Sequence, residues 1–300
     1  MKKKTYLIAL MAMALTLGSC SDNENGIGGE TSKYITVSTS IGNMTRVATD
    51  ANGGQTFEEG DEISVYAWTG DATTVPAATG RVVDNAINKL TKGAWISTPQ
   101  MLWKNNRDKH YFIGVYPTKA ISDLIAGEYA FDETKQVESD LLVAVNKDGL
   151  SYNVDEQQTV PLTFTHVMAK LVVNLTYKNQ WGGIPTVEKV VVGNAAKEAT
   201  INYLTKVVTP STTAKEDFSL PEITENTKYV SVIIPQEDVK QLTIVIGGKN
   251  FVYDNGTPFK LESGKITTVN LEVGRDEIKL GDVKITNWED GSTFSGEALN

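Results

Sequence analysis

Apolar and polar residues alternate with a period of two along most of this chain, and that pattern confines it to β-sheet. Ile35, Val37 and Ile41 share a parity with Thr39. Ile63, Val65 and Ala67 alternate with Ser64, Tyr66 and Trp68. Tyr111, Ile113 and Val115 stand beside Phe112 and Tyr116. Leu171, Val173, Leu175 and Tyr177 line one face, with Asn174 and Thr176 on the other. Val230, Val232 and Ile234 form another face, as do Leu242, Ile244 and Ile246. Val269, Leu271 and Val273 close the series. One polar face per strand marks antiparallel sheet that covers a core on one side. That places Tyr66 and Trp68 on a face able to point outward. Turn signals punctuate the strands at Asn52-Gly53-Gly54, Asp148-Gly149, Gly182-Gly183, Gly247-Gly248, Asn255-Gly256 and Ser263-Gly264. Gly247-Gly248, between Ile244-Val245-Ile246 and Phe251-Val252-Tyr253, predicts a two-residue hairpin. Long helical periods are absent, and Ala120 to Ala126 is expected to form one short helix.

Many short strands with Gly-rich turns favour sandwiches. The 300 residues suit two such domains in tandem. Asn153 to Thr159 is polar and acidic, and Pro161 opens the next apolar run. The expected division is an N-terminal β-sandwich over 33–155 and a C-terminal one over 156–300.

The first residues stand outside the fold. Lys2, Lys3 and Lys4 precede an apolar run from Tyr6 to Leu17, shorter than the ~20 residues of a spanning helix. Small residues and Cys20 follow. Residues 1–19 read as a signal peptide. Leu17-Gly18-Ser19-Cys20 has the form of a bacterial lipobox, which makes Cys20 the lipidated first residue of the mature chain; the competing reading is an ordinary secretory signal with an incidental Cys. Residues 20–32 are polar and Gly-rich, as a flexible tether would be. Ser21-Asp22-Asn23-Glu24 also resembles the acidic surface-export signal of some Gram-negative lipoproteins. The expected location is the outer membrane, facing outward.

Charge and composition exclude other classes. The formal net charge is −9, and loss of the three leader lysines makes it −12. A binder of nucleic acid needs a basic face instead. One Cys cannot form an internal disulfide, and one Cys with two His cannot complete a structural zinc cage. No G-x-S-x-G, phosphate loop or dinucleotide fingerprint occurs. The chain is therefore expected to be no enzyme, with no cofactor and no metal. His166, between Phe164 and Met168, reads as a hydrogen-bonded buried or interface residue. His110, beside Asn105-Asn106-Arg107-Asp108-Lys109, reads as solvated. Glu58, Glu59, Asp61 and Glu62 read as a solvated turn, against a calcium site or glycosidase pair. The five Trp (68, 95, 103, 181 and 288) keep open a second function, glycan binding on exposed aromatic rings, against plain core packing.

Several segments carry a family resemblance. Phe57-Glu58-Glu59-Gly60-Asp61-Glu62-Ile63-Ser64-Val65-Tyr66-Ala67 resembles the F-x-x-G-D-x-I-x-V-Y segment of the fimbrillin-like family. Phe164-Thr165-His166-Val167-Met168-Ala169-Lys170-Leu171 resembles its F-x-H-x-x-A-K-L segment. Ile233-Ile234-Pro235-Gln236, Ser263-Gly264-Lys265 within Leu261 to Leu271, and Trp288-Glu289-Asp290-Gly291 match in order. The resemblance implies two transthyretin-like sandwiches and a subunit of type V pili, exported as a lipoprotein and serving as stalk, tip or anchor. It also implies, for stalk subunits, polymerisation after an arginine-specific protease removes the N-terminal strand.

That mechanism has a counterpart in the residues. Tyr34 to Ile41 predicts a first strand. The polar stretch after it holds Arg46, the first basic residue past Lys33. Cleavage between Arg46 and Val47 would release the lipid together with the first strand. The vacant groove would accept a strand of another subunit. Glu277 to Leu280 and Val283 to Thr286 are candidate donors, unless they simply finish the C-terminal sandwich. The partners expected are thus other pilus subunits, the outer membrane through lipid on Cys20, and a host or glycan ligand.

Overall fold

Nineteen strands supply nearly all regular structure in the computed structural model, which describes residues 33–42, 57–154, 156, 158–254 and 256–288. They are β1 (Thr36–Ile41), β2 (Glu62–Thr69), β3 (Val83–Thr91), β4 (Ala94–Thr98), β5 (His110–Tyr116), β6 (Gly127–Ala130), β7 (Leu142–Leu150), β8 (Thr159–His166), β9 (Ala169–Tyr177) and β10 (Val187–Ala196). After them come β11 (Glu198–Asn202), β12 (Val207–Pro210), β13 (Lys215–Ser219), β14 (Glu222–Thr224), β15 (Lys228–Ile233), β16 (Gln241–Ile246), β17 (Lys249–Asp254), β18 (Lys265–Val273) and β19 (Ile278–Asn287). The chain is all-β, with 3-10 turns only at Ala78–Gly80 and Asn179–Trp181 among the described residues.

A seven-stranded sheet has the order β1-β8-β7-β5-β2-β3-β4. A five-stranded sheet, β14-β15-β9-β18-β19, and a four-stranded sheet, β13-β10-β16-β17, follow. A small sheet, β12-β11-β6, joins a strand from the first half of the chain to two from the second. The chain passes from the seven-stranded to the five-stranded sheet between His166 and Ala169.

The seven-stranded sheet curls until its two ends meet. β1 pairs in parallel with β8, from Thr36↔Thr159 to Ile41↔Phe164. On its other side, Ile35 N–H donates to the Met101 carbonyl at 2.9 Å and Trp103 N–H to the Lys33 carbonyl at 3.1 Å. The curl encloses one core, built from Ile35, Val37, Ile63, Val65, Phe112, Leu162 and Phe164. The outer face of the same sheet, with Tyr66, Trp68, Ile113 and Val115, packs into a second core shared with β9, β10, β16 and β18.

β2 is therefore covered on both faces. Tyr66 and Trp68 are fully buried, so neither faces outward. Their polar atoms are satisfied locally: Trp68 Nε1 donates to the Asp71 carbonyl at 2.8 Å, and the Tyr66 hydroxyl lies 2.5 Å from the Lys119 carbonyl. Burial pushes the Tyr66 phenol up to about 12.

Ala120 to Ala126 does not form the expected helix. Its backbone groups are taken by other partners. The Ile121 N–H donates to the Tyr66 hydroxyl, and Arg81 donates to the carbonyls of Ile121 and Ser122. Asp123 Oδ1 accepts from the N–H groups of Ile125 and Ala126, a local bond that competes with a helical turn. The Gly247-Gly248 hairpin forms as the pattern requires, joining β16 to β17 with φ of +58° and +72°. Asp148-Gly149 lies inside β7 as an irregularity rather than between strands.

Candidate strand-exchange site

β1 carries the features that an exchangeable strand needs. Its parity puts Ile35 and Val37 inward, at 3% and 6% exposure, with Thr39 and Ile41 half-buried behind them. Thr36, Ser38 and Ser40 point to solvent. Thr36 and Ser40 meet the hydroxyls of Thr159 and Thr163 at 3.2 Å each. Two fully buried aliphatic side chains contribute ~1.5–3 kcal/mol each. Each ladder hydrogen bond to β8 adds ~0.5–1.5 kcal/mol net.

The far end of β1 sits against four aromatic rings. Phe57 is edge-on to Trp95, Tyr116 and Phe164, with centroids 5.3, 5.3 and 5.1 Å away. Gly114 makes room for this cluster, since a Cβ there would lie 2.7 Å from Phe164 Cζ. Tyr116 donates to Asp61 Oδ1 at 3.2 Å, and burial pushes its phenol up to about 12. Trp95, on β4, reaches across to β1 and donates from Nε1 to Thr39 Oγ1 at 3.0 Å.

Cys20, Arg46 and Val47 lie outside the described residues. Gly42 N–H donates to the Phe164 carbonyl at 2.6 Å, and Phe57 packs on the Phe164 ring. Gly42 and Phe57, the described residues on either side of Arg46 in the sequence, thus both contact Phe164.

Both candidate donor segments fall in one strand, β19, which pairs antiparallel with β18 and finishes the five-stranded sheet. Among the described residues its other edge carries no strand partner. Val283 and Ile285 face the core side, opposite Val269 and Thr267, yet stay 39% and 40% exposed. Trp288 ends the strand in a buried seat, stacked on His166 at 4.2 Å with the planes 4° apart. His166 Nδ1 lies 2.7 Å from Asp140 Oδ1, and the Lys170 ammonium sits 5.3 Å from the Trp288 ring centre. Ser263 donates to the Val167 carbonyl, and Trp288 N–H to that of Gly264. Three separated sequence segments, 164–171, 263–265 and 288, thus converge on one cluster.

Other candidates resolve into structure. His110 is fully buried, not solvated: it opens β5 edge-on to Trp103, accepts from Lys104 N–H at Nε2, and burial lowers its pKa. The charged segment before it folds on itself, because Asn105 Oδ1 accepts from the N–H groups of Arg107 and Asp108. Glu59, Asp61 and Glu62 are engaged by Lys92 N–H, by Glu58 N–H with Tyr116, and by Lys89. Trp68, Trp103 and Trp288 are buried, and Trp95 and Trp181 are half-buried.

A family model described as fimbrillin-like matches residues 45–288. No curated protein matches the sequence. Among solved structures, a cell adhesion protein from Bacteroides ovatus superposes with a TM-score of 0.62 at 17% identity, covering 85% of this chain and 98% of its own. A cell adhesion protein from Bacteroides uniformis gives 0.60 at 19% identity, with 86% and 100% covered. A fimbrial protein from Bacteroides vulgatus gives 0.54 at 12%, with 86% and 100% covered. At these identities the likeness is one of fold.

Proposed function

The chain belongs to the fimbrillin-like family, and from that premise we propose that it is a structural subunit of a cell-surface pilus that supports adhesion, exported as a lipoprotein and assembled by strand exchange. One observation carries the exchange reading. β1 closes a sheet by touching both of its ends, through Phe164 on β8 and through Met101 to Trp103 beyond β4. Its removal opens two edges at once and leaves the seats of Ile35 and Val37 empty. Arg46 lies just past β1 in the sequence, and the cut that frees the strand falls between Arg46 and Val47. The donor is β19, whose Val283 and Ile285 remain 39% and 40% exposed. We place the division between two sandwich units after β8, a reading supported by the membership of β8 in the seven-stranded sheet.

Lipid on Cys20 would hold the precursor at the outer membrane until the cut. Several acyl chains, at ~0.8 kcal/mol per buried methylene, make a stable anchor. Cys20→Ala is expected to abolish labelling by a radioactive or clickable fatty acid and to release soluble protein. Full membrane partitioning of the variant would remove the lipoprotein reading and leave the exchange reading intact. The exchange reading is tested by proteolysis and light scattering, argued below.

A further inference from the structure

The groove that holds β1 has a chemical code at one position. Ile35 and Val37 occupy apolar seats in the enclosed core. Thr39, two residues on, is different: the half-buried indole of Trp95 donates to its hydroxyl at 3.0 Å. Trp95 is held in place independently of β1, because β4 pairs Trp95 with Leu90 of β3 and Phe57 abuts its ring. The donor therefore stays aimed at this seat when β1 leaves. A strand that put an apolar side chain there would strand a half-buried N–H.

We propose that Trp95 is a specificity-determining residue of the groove, and that the strand it selects is Val283–Asn287 of a second copy of this chain. The proposal rests on the exchange reading above. The code is apolar, any, apolar, any, acceptor. Val283, Ile285 and Asn287 repeat it with the spacing of Ile35, Val37 and Thr39. The Asn287 side-chain oxygen is the acceptor; at home it takes a hydrogen bond from Lys265 on the protein surface. Val283 and Ile285 are 39% and 40% exposed at home, so they hold β19 in place less firmly than fully buried side chains would. Ile278, Leu280 and Asp282 have the same spacing, but Ile278 and Leu280 pack against their own core, and Asp282 would bring a carboxylate beside the aromatic cluster. Release of Val283–Asn287 requires Trp288 to leave its seat between His166 and Lys170.

The test uses residues 21–300 with Arg107→Lys and Arg275→Lys, cut by an arginine-specific protease so that the break falls at Arg46; Arg81 is protected by its buried side chain. Labelled peptides compete with the released strand. They are residues 33–42, the same with Thr39→Val, residues 281–289, and the same with Asn287→Val. Each Val peptide should compete roughly ten-fold less well than its parent, the scale of one lost hydrogen bond with a donor left unpaired. In a Trp95→Phe protein, which keeps a ring against Phe57 and whose folding is checked by its melting curve, the difference within each pair should vanish. Equal competition by the Thr39→Val peptide against the Trp95 protein would overturn the role of Trp95. Equal competition by the Asn287→Val peptide would overturn the choice of Val283–Asn287 alone. Failure of every peptide, including 33–42 itself, would instead refute strand exchange at this groove.

Discussion

Cutting purified residues 21–300 at Arg46 is expected to turn a stable monomer into a growing polymer, and Arg46→Ala to leave it monomeric. While β1 is tethered, its return to the groove is intramolecular and faster than any encounter between subunits. Breaking the chain after Arg46 removes the tether without disturbing either wall. Phe57 stays packed on Trp95, Tyr116 and Phe164, and β8 stays paired to β7. What is lost is the fixed high local concentration of β1. Ile35 and Val37 at ~1.5–3 kcal/mol each, with several backbone bonds at ~0.5–1.5 kcal/mol, still hold the strand for a time. Growth should therefore show a lag and should quicken when excess free groove competes for strands. Light scattering gives the size, and mass spectrometry gives the new N-terminus, expected to be Val47. A cut protein that remains monomeric at high concentration, with other subunits supplied, would sink the switch and favour an uncleaved anchor.

The parts of this site differ in how visible they were in the sequence. The inward parity of Ile35, Val37 and Ile41 was legible, because a strand with one wet face writes its register in period two. So was the Gly247-Gly248 hairpin, a local signal read over a few residues. β2 misled for a physical reason: between two cores both parities are buried, and Tyr66 and Trp68 bring polar atoms that suggest an outer face until Lys119 and Asp71 are seen to satisfy them. The Ala120 to Ala126 segment lost its helix to Tyr66 and Arg81, contacts from 40 and more residues away. The aromatic seat joins Phe57, Trp95, Tyr116 and Phe164, and the parallel pairing of β1 with β8 spans more than a hundred residues. No local pattern encodes such a meeting. The convergence of His166, Lys170, Gly264 and Trp288 had one available signal: each lies in a segment that carried the family resemblance.

Lys170→Met is expected to stabilise the protein near neutral pH and to lose that advantage as the solution becomes alkaline. Lys170 is 2% exposed on β9, and burial pulls its ammonium down to about 8. Asp140 opposes that shift and Lys228 adds to it. The sign follows from proton counting. Between about 8 and the unfolded value of 10.5 the unfolded chain binds the proton more strongly than the folded one. Stability from this group therefore rises with pH across that window. Below about 8 the full cost of burying the charge is present; above 10.5 it is gone. At ~1.4 kcal/mol per unit, the cost is roughly 3.5 kcal/mol at most, less whatever the ammonium recovers over the Trp288 ring. Met keeps the length and the apolar stem. Asp140 keeps its 2.7 Å contact with His166 after the change. Tyr66, Tyr116 and Tyr177, all pushed up to about 12, titrate beyond the window and are common to both proteins. Urea denaturation of both proteins at pH 6.5, 7.5, 8.5 and 9.5 should show Met ahead by up to a few kcal/mol at the lower values and the curves converging at the top. A constant gap at all four would show that Lys170 titrates as an ordinary solvated lysine. Since Lys170 faces the ring that ends β19, the same convergence would mean that the chain tolerates a costly charge at the place where the candidate donor strand is pinned.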